Sequence, residues 1–395
     1  MSKVASKRLG DLINLKRGYD LPEKQRRSGS YPVISSAGIT GYHDEYMVEG
    51  KGVVTGRYGT LGEMYYVDGK YWPHNTALYV TSFKGNDPQY IYYLLSCLGR
   101  IRTSDKSAVP GVNRNELHEM AIPAITDKDQ QKKIAAILST LDAKIDCNSR
   151  INAELEAMAQ MLYDYWFMQF DFPDVNGKPY KSSSGEMIYN VTLKREIPKG
   201  WRDGTLDDLG RIVGGSTPST QSSSNFTIDG TPWITPYDLS SNQGNKFITR
   251  GAQDVSEEGI KDASLKKVPA GTVLLSSRAP IGYMAIARIE LTTNQGFKSF
   301  IPTNEFSTAF IYYTVRGSLK TVAQYASGST FKEVSASVLK TVKIVLPDPK
   351  IVDQFTDSVA SIFKRQDLLE QENQQLAQLR DWLLPMLMNG QVTVA

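Results

Sequence analysis

Two cysteines in 395 residues, Cys97 and Cys147, are too few to build a disulfide framework and lack the partners and spacing of a zinc site. Both read as reduced structural thiols. The three histidines, His43, His74 and His118, fall in the first domain alone without metal-ligand spacing, so hydrogen-bonded or solvated roles are expected of them. No run approaches the roughly 18 to 20 apolar residues of a membrane span, and the opening MSKVASKRLGDL has no apolar core of signal-peptide length. A cytoplasmic protein without membrane contact is the expectation. Catalytic signatures are missing as well. The Gly-Lys pairs at Gly50, Gly69 and Gly177 are followed by Gly, Tyr and Pro, so none forms the GxxxxGK[ST] loop of ATP chemistry. There is no acidic-Pro-Pro-aromatic tetrapeptide of an adenine methyltransferase and no Gly-rich strand–helix turn suited to S-adenosylmethionine. The acidic residues around Pro173-Asp174 and Glu186-Met187-Ile188 lack the lysine that a nuclease site needs.

What the chain does have is a single large repeat. Leu9-Gly10-Asp11-Leu12 matches Leu206-Asp207-Asp208-Leu209, Gly50–Arg57 (GKGVVTGR) lines up with Gly271–Arg278 (GTVLLSSR), Asn75 with Asn294, and Ile91-Tyr92-Tyr93 with Ile311-Tyr312-Tyr313. A period of about 220 residues is far above that of solenoid repeats and indicates two similar domains. Each copy runs into a heptad pattern. In the first, steps of four and three pick out Ile134, Leu138, Leu141, Ile145, Asn148, Asn152, Leu155, Ala159, Leu162 and Trp166. In the second, a series displaced by 221 residues runs from Phe355 and Val359 through Asn373 to Leu383 and Leu387. A 33-residue helix is roughly 50 Å long, more than a small domain needs for its own core. Such helices bury their stripes on each other, and the segment between them returns the chain. The predicted architecture is therefore α+β: two similar α+β domains joined by two long helices that form an antiparallel coiled coil, with an internal pseudo-two-fold repeat. The boundaries are 1–125 for the first domain, 126–170 for the first helix, 171–200 for the connecting segment, 201–347 for the second domain and 348–395 for the second helix. Asn152 and its repeat mate Asn373 lie on the seams, where a buried Asn fixes register and a partly solvated one does not.

Charge follows the same division. Residues 1–125 carry 16 Lys and Arg against 12 Asp and Glu, and residues 200–347 carry 15 against 12, whereas 126–199 has 10 against 11 and 348–395 has 4 against 7. The basic excess lies in the domains and the acidic excess in the arms, the distribution that phosphate-contacting domains require. Short β-rich runs such as Val53–Thr55, Met64–Val67, Ala77–Val80, Val273–Leu275 and Met284–Ala287 alternate with helices predicted at Pro88–Leu98 and Ser307–Arg316. Tyr92 and Tyr93 are expected to pack rather than to stack on bases. The domains share this frame but differ in loops, Ser30–Glu45 against the longer Thr231–Ile260, and loops on a common scaffold are where different ligands are read.

Several loop residues have the chemistry to contact DNA. Arg57-Tyr58 and Arg278 follow a strand in each copy, and an arginine so placed can pair bidentately with guanine or clamp a phosphate. A structural turn arginine is the alternative. Asn75-Thr76 and Asn294-Gln295 offer amides that match adenine in the major groove, with an Asx turn as the competing use. Ser107–Asn113 and Ser327–Lys332 combine small polar residues with a nearby cation, so Asn113, Ser329 and Lys332 join the candidates as phosphate contacts. On the arms, apolar residues beyond those on the seam, such as Ile137, Ile151, Met158, Tyr165, Phe167, Leu368, Leu379 and Trp382, read as partner-facing or as packing on the chain's own domains. Ile151, Met158, Leu162, Trp166, Leu379 and Trp382 are the expected partner-binding residues.

Phe170-Asp171-Phe172-Pro173-Asp174-Val175-Asn176-Gly177-Lys178-Pro179-Tyr180, then Ser184-Gly185-Glu186-Met187 and Arg195–Trp201, closely resemble the central region of type I restriction-modification specificity subunits. Leu383–Val392 resembles the end of that family's distal helix, and the likeness covers the whole chain in the same order of parts. Ser183-Ser184-Gly185 stands where the family often has consecutive glycines. The resemblance implies a non-catalytic, DNA-reading subunit. Each recognition domain would read one half of an asymmetric bipartite site, with the helices setting the gap; half-sites roughly 34 Å apart, one DNA turn, suit two such heads. Its partners would be double-stranded DNA, two methyltransferase subunits on the helices, and motor-endonuclease subunits. S-adenosylmethionine, ATP and magnesium would belong to those partners, with no cofactor in this chain. A stand-alone DNA binder and a coiled-coil scaffold are the rival readings; the first would bind DNA tightly without partners, and the second would not bind it at all.

Overall fold

The computed structural model describes residues 4–57, 63–97, 113–278, 280–325 and 333–394. The chain divides into two compact units, Met1–Asp146 with Gln374–Ala395, and Cys147–Asn373. Each unit holds one α+β domain and part of both long helices. The proximal helix runs Lys128–Tyr163 and the distal helix Pro349–Met388. Their starts are built alike, because the Asp127 carboxylate accepts from Asp129 N–H and the Asp348 carboxylate from Lys350 N–H, both at 2.9 Å. Pro349 opens the distal helix, where a missing N–H costs nothing. The proximal helix ends in a π-helical turn, Asp164–Met168, rather than continuing to Phe170. Among the described residues no helix is long and apolar enough to cross a membrane.

In the first unit, Val4–Arg8 pairs antiparallel with Ala121–Ile125 at the foot of the proximal helix. A six-stranded sheet follows in the order Asn14–Arg17, Ala77–Ser82, Val48–Gly56, Met64–Pro73, Tyr31–Ser35, Gly38–His43. Helix Pro88–Cys97 seals one face with Tyr90, Ile91, Tyr93 and Leu94, all buried against Leu9, Leu78 and Ile122. Within this unit the helical arms run antiparallel. Arg380 donates to Asp142 at 2.9 Å, and Leu387 and Met388 pack with Ile134 and Leu138. Gln131, a buried polar residue, is fully used: it accepts from Asp87 N–H and donates to Ile125 C=O and Asn86.

The second unit repeats this plan. Arg202–Thr205 pairs with Lys343–Leu346 as Val4–Arg8 does with Ala121–Ile125. A five-stranded sheet runs Arg211–Gly214, Phe297–Ile301, Val273–Ser276, Met284–Ala287, Phe247–Ile248, and helix Thr308–Tyr325, longer than its sequence suggests, covers it. Residues from Phe226 to Asp262 supply three strands of a second small sheet, completed by Thr292–Thr293, and the helices Pro236–Ser241 and Glu257–Asp262. The proximal and distal helices again run antiparallel: Asn148 donates to Glu372 at 2.8 Å, and Gln366 donates to Glu156 at 3.2 Å. Asn152 is buried on this seam and Asn373 half-buried, so the two repeat mates differ in solvation. The core between arm and domain is aromatic. Phe355 lies within 6.4 Å, centroid to centroid, of Tyr163, Trp166, Phe167 and Tyr313. Full burial of a ring of this size stabilises by about 1.5–3 kcal/mol.

The connecting segment is ordered by its own residues and by Trp201 at the start of the second domain. Phe172 stacks between Tyr180 and Trp201, at 4.6 and 5.0 Å, while Asp171 takes two bonds from Ser182 at 2.7 Å. Asp174 accepts from the N–H groups of Asn176 and Lys178 around Gly177, whose φ of +74° suits glycine. Ser184 also has positive φ, +68°, a conformation that glycine adopts at less cost.

Candidate nucleic-acid interface

Each sheet ends in a cluster of loops, and backbone hydrogen bonds fix how the clusters correspond. In the first domain Arg57 N–H donates to Thr76 C=O at 2.9 Å, His74 N–H to Ile34 C=O at 2.8 Å, and Tyr19 N–H to Pro73 C=O at 2.8 Å. In the second, Ser277 N–H donates to Gly296 C=O at 2.7 Å, Asn294 N–H to Ile234 C=O and Ser216 N–H to Thr293 C=O, both at 3.0 Å. The strand ladders agree, Val54 opposite Tyr79 matching Leu274 opposite Ser299. The offset is therefore 220 residues for Val54–Arg57 and for Pro73–Tyr79, but 200 from Ile34 to Ile234 and 197 from Tyr19 to Ser216. Arg57 corresponds to Ser277 and Asn75 to Gln295, one residue away from the partners suggested by matching side-chain types. Arg278 takes the position that Tyr58 holds in the first sequence.

The structure thus brings Arg57, Asn75 and Thr76 to one sheet end, and Arg278, Asn294 and Gln295 to the equivalent end of the other sheet. Asn75 donates to Asp20, and its carbonyl accepts from Arg17 Nε at 3.3 Å. Thr76 Oγ1 sits 3.0 Å from His74 Nδ1. Burial, then the Arg26 charge, holds His74 below its ordinary pKa. In the second domain Arg278 Nε meets Glu333 at 3.2 Å with both side chains about half exposed, and Gln295 accepts from Thr217. Asn294 Oδ1 accepts from Gly296 N–H at 2.9 Å, an Asx turn that engages the oxygen of the amide. Asn113 is likewise used locally: it caps helix Arg114–Glu119 through Asn115 N–H and donates to Glu116. Tyr58, Ser329 and Lys332 lie outside the described residues.

A loop with no chemical motif of its own crosses each cluster. Gly18 and Gly215 let it through, since a Cβ on either would stand 2.2 and 2.1 Å from the carbonyl oxygens of His74 and Asn294. An indole N–H fastens it in both domains, Trp72 to Tyr19 C=O and Trp233 to Ser216 C=O, although the two tryptophans sit on different strands. This adds Arg17, Asp20 and Thr217 to the candidate interface. The signal was present, for Gly18 and Gly215 each follow the Leu9 and Leu206 motifs by nine residues.

The arm residues divide sharply. Trp166 is buried against Phe355 and Phe167 and is corrected from partner-facing to structural, whereas Leu162 is half-buried at the edge of the same core. Phe167 is buried too. Ile151, Met158, Leu379 and Trp382 remain exposed, Trp382 at 62%. The histidines are engaged in hydrogen bonds: Leu15 N–H donates to His118 Nε2 and Arg27 N–H to His43 Nδ1. Among the described residues no group of three or more His, Cys, Asp or Glu is placed to hold a metal ion.

Against known families, the one described as the type I restriction modification DNA specificity domain matches residues 1–157 and again 198–378, once over each copy of the repeat. The chain belongs to that family. It is 39% identical over 196 residues to the type I restriction enzyme MjaIX specificity subunit of Methanocaldococcus jannaschii, covering 47% of this chain but only 44% of that protein. It is 28% identical over 362 residues to the HindI specificity subunit of Haemophilus influenzae, covering 77% of each. The crystal structure of the type I restriction-modification S subunit from M. genitalium aligns over 98% of this chain and 96% of that one, with TM-score 0.62 and 16% identity. That likeness carries the fold alone, two similar α+β domains with long helices.

Proposed function

We propose that this specificity-family chain is the non-catalytic DNA reader of a type I restriction-modification complex. Each domain reads one half of an asymmetric bipartite site through the loop cluster at its sheet end. The exposed apolar residues Ile151, Met158, Leu379 and Trp382 bind methyltransferase subunits, and the arms set the gap between half-sites. Motor-endonuclease subunits would complete the cleaving assembly. S-adenosylmethionine, ATP and magnesium act on those partners, consistent with a chain in which no phosphate-cradling loop is present in sequence.

One observation carries this reading. Two domains share a bonding register residue for residue, yet present different side chains at it, Arg57 against Ser277 and Asn75 against Gln295. A common frame with unlike contacts is what two unlike half-sites demand. In the complex with methyltransferase subunits, Arg57→Ala is expected to weaken binding of one half-site and Arg278→Ala the other, each by about 1–3 kcal/mol, with assembly intact. Titration against duplexes altered in one half at a time measures this. Loss of methyltransferase binding in both variants would reverse the assignment of domains to DNA and arms to protein.

A further inference from the structure

The second domain contains a segment that the first domain lacks, and its seat shows what the first domain can receive. Strand Met284–Ala287 has neighbours on both edges, Val273–Ser276 antiparallel and Phe247–Ile248 parallel. Ile286 N–H donates to Lys246 C=O at 2.8 Å and Arg288 N–H to Ile248 C=O at 3.0 Å. The Lys246 side chain enters the space between sheet, helix and arm. Its ammonium lies 2.6 Å from the Glu156 carboxylate, 2.8 Å from the Tyr313 hydroxyl and 3.9 Å above the Phe363 ring.

At the 220-residue offset, Met284–Arg288 corresponds to Met64–Asp68, and Tyr312-Tyr313 to Tyr92-Tyr93. Met64–Asp68 is paired with Val48–Gly56 on one edge. Among the described residues no strand pairs with its other edge, because Tyr31–Ser35 meets this chain only at Trp72 and Pro73. The shared register points Tyr66 N–H and Asp68 N–H to that open edge. A cleft of about 670 Å³ lies beside it, lined by the strand, by Tyr92 and Tyr93, and by Asp142 and Asp146 of the arm. Its charge is also inverted. Where the second domain has Arg288, bonded to Asp367 and Glu370, the first has the exposed Asp68. Asp142 is shared between Tyr93 and Arg380, so the cation of an occupant would find its carboxylate partner chiefly in Asp68 at the rim.

We propose that this cleft binds a basic extended segment of a partner protein. The segment adds as a parallel strand along Met64–Asp68 and lays a Lys or Arg side chain against the tyrosine faces and carboxylates, as Lys246-Phe247-Ile248 does within the second domain. Main-chain bonds to the open edge supply affinity, and the cation supplies selectivity.

The probe is a fluorescent octapeptide with the sequence of Gln243–Arg250, titrated into the full-length protein with amide hydrogen exchange read in parallel. Saturable binding is expected, with slowed exchange at Tyr66 and Asp68. Asp68→Lys in the protein, or norleucine in place of the peptide's lysine, should each weaken binding about tenfold. Protection at Ile286 and Arg288 instead would mean that the peptide had displaced its own parent segment, and would overturn the assignment to the first domain. So would binding indifferent to both changes, equal binding of free lysine amide, or no binding at millimolar peptide.

Discussion

Lys246→Ala is expected to destabilise the second unit by about 3–5 kcal/mol, because it removes the most buried cation of a charge network and leaves Glu156 with Arg316 alone as its counter-charge. Lys246 is 3% exposed and bonds Glu156, Gln366 and Tyr313. Its backbone N–H and that of Phe247 hold the buried Glu370 carboxylate, which also takes Arg288. Burial pushes Glu370 up from its ordinary pKa despite these donors. Burial works against Glu156 in the same way, but Lys246 keeps that carboxyl below its ordinary value. The Lys246 ammonium is itself pushed down by burial from 10.5 to about 8, against the pull of Glu156. Between those two pH values the unfolded chain holds a proton that the folded chain has released. This group therefore makes stability rise with pH across that window and leaves it flat below. Denaturant unfolding of the full chain, followed by resonances from each unit, should show the second unit failing early in the variant and losing that rise. A cost under about 1 kcal/mol would place Lys246 with surface ion pairs, contrary to its geometry. Because the segment it anchors belongs to the insertion that distinguishes the second domain, reading of one half-site should fail with it while the other persists.

The two arm tryptophans should behave as opposites. Trp166→Ala empties a ring site at the centre of the aromatic core and is expected to cost about 3–5 kcal/mol of stability. Trp382→Ala removes a ring that is 62% exposed and should change stability by no more than about 0.5 kcal/mol. Its effect is expected on assembly, with affinity for the methyltransferase subunit falling about 30-fold, or 2 kcal/mol, as for an interface anchor. Calorimetric unfolding of the isolated chain and titration with the methyltransferase subunit separate the two. Normal assembly of the Trp382 variant would remove Trp382 from the proposed interface.

These tryptophans also show where the sequence stops being legible. Heptad spacing identified both long helices and their antiparallel pairing, since a stripe of that length must be buried on something. It did not say which apolar residues the domains themselves claim. Trp166 falls in the turn that delivers the chain into the Phe355 core, and a π-helical turn there changes which side chains face inward. The repeat was visible from Leu9 and Leu206 onward, but like residues were paired at 221 and 219 where the ladders run at 220. Register is set by backbone bonds, which chemical similarity at Arg57 and Arg278 does not report. Lys246 was invisible for a different reason. A lysine in Asn-Gln-Gly-Asn-Lys reads as solvated loop, and only the arm brings Glu156 and Gln366 around it.

The most direct measurement is long-read methylation profiling of genomic DNA from the source strain, with and without this gene. Loss of one bipartite adenine-methylated motif on deletion is the predicted result, and it would deliver the two half-sites and their gap together. An unchanged methylome with the partner genes expressed would contradict the account and leave a DNA binder that acts alone.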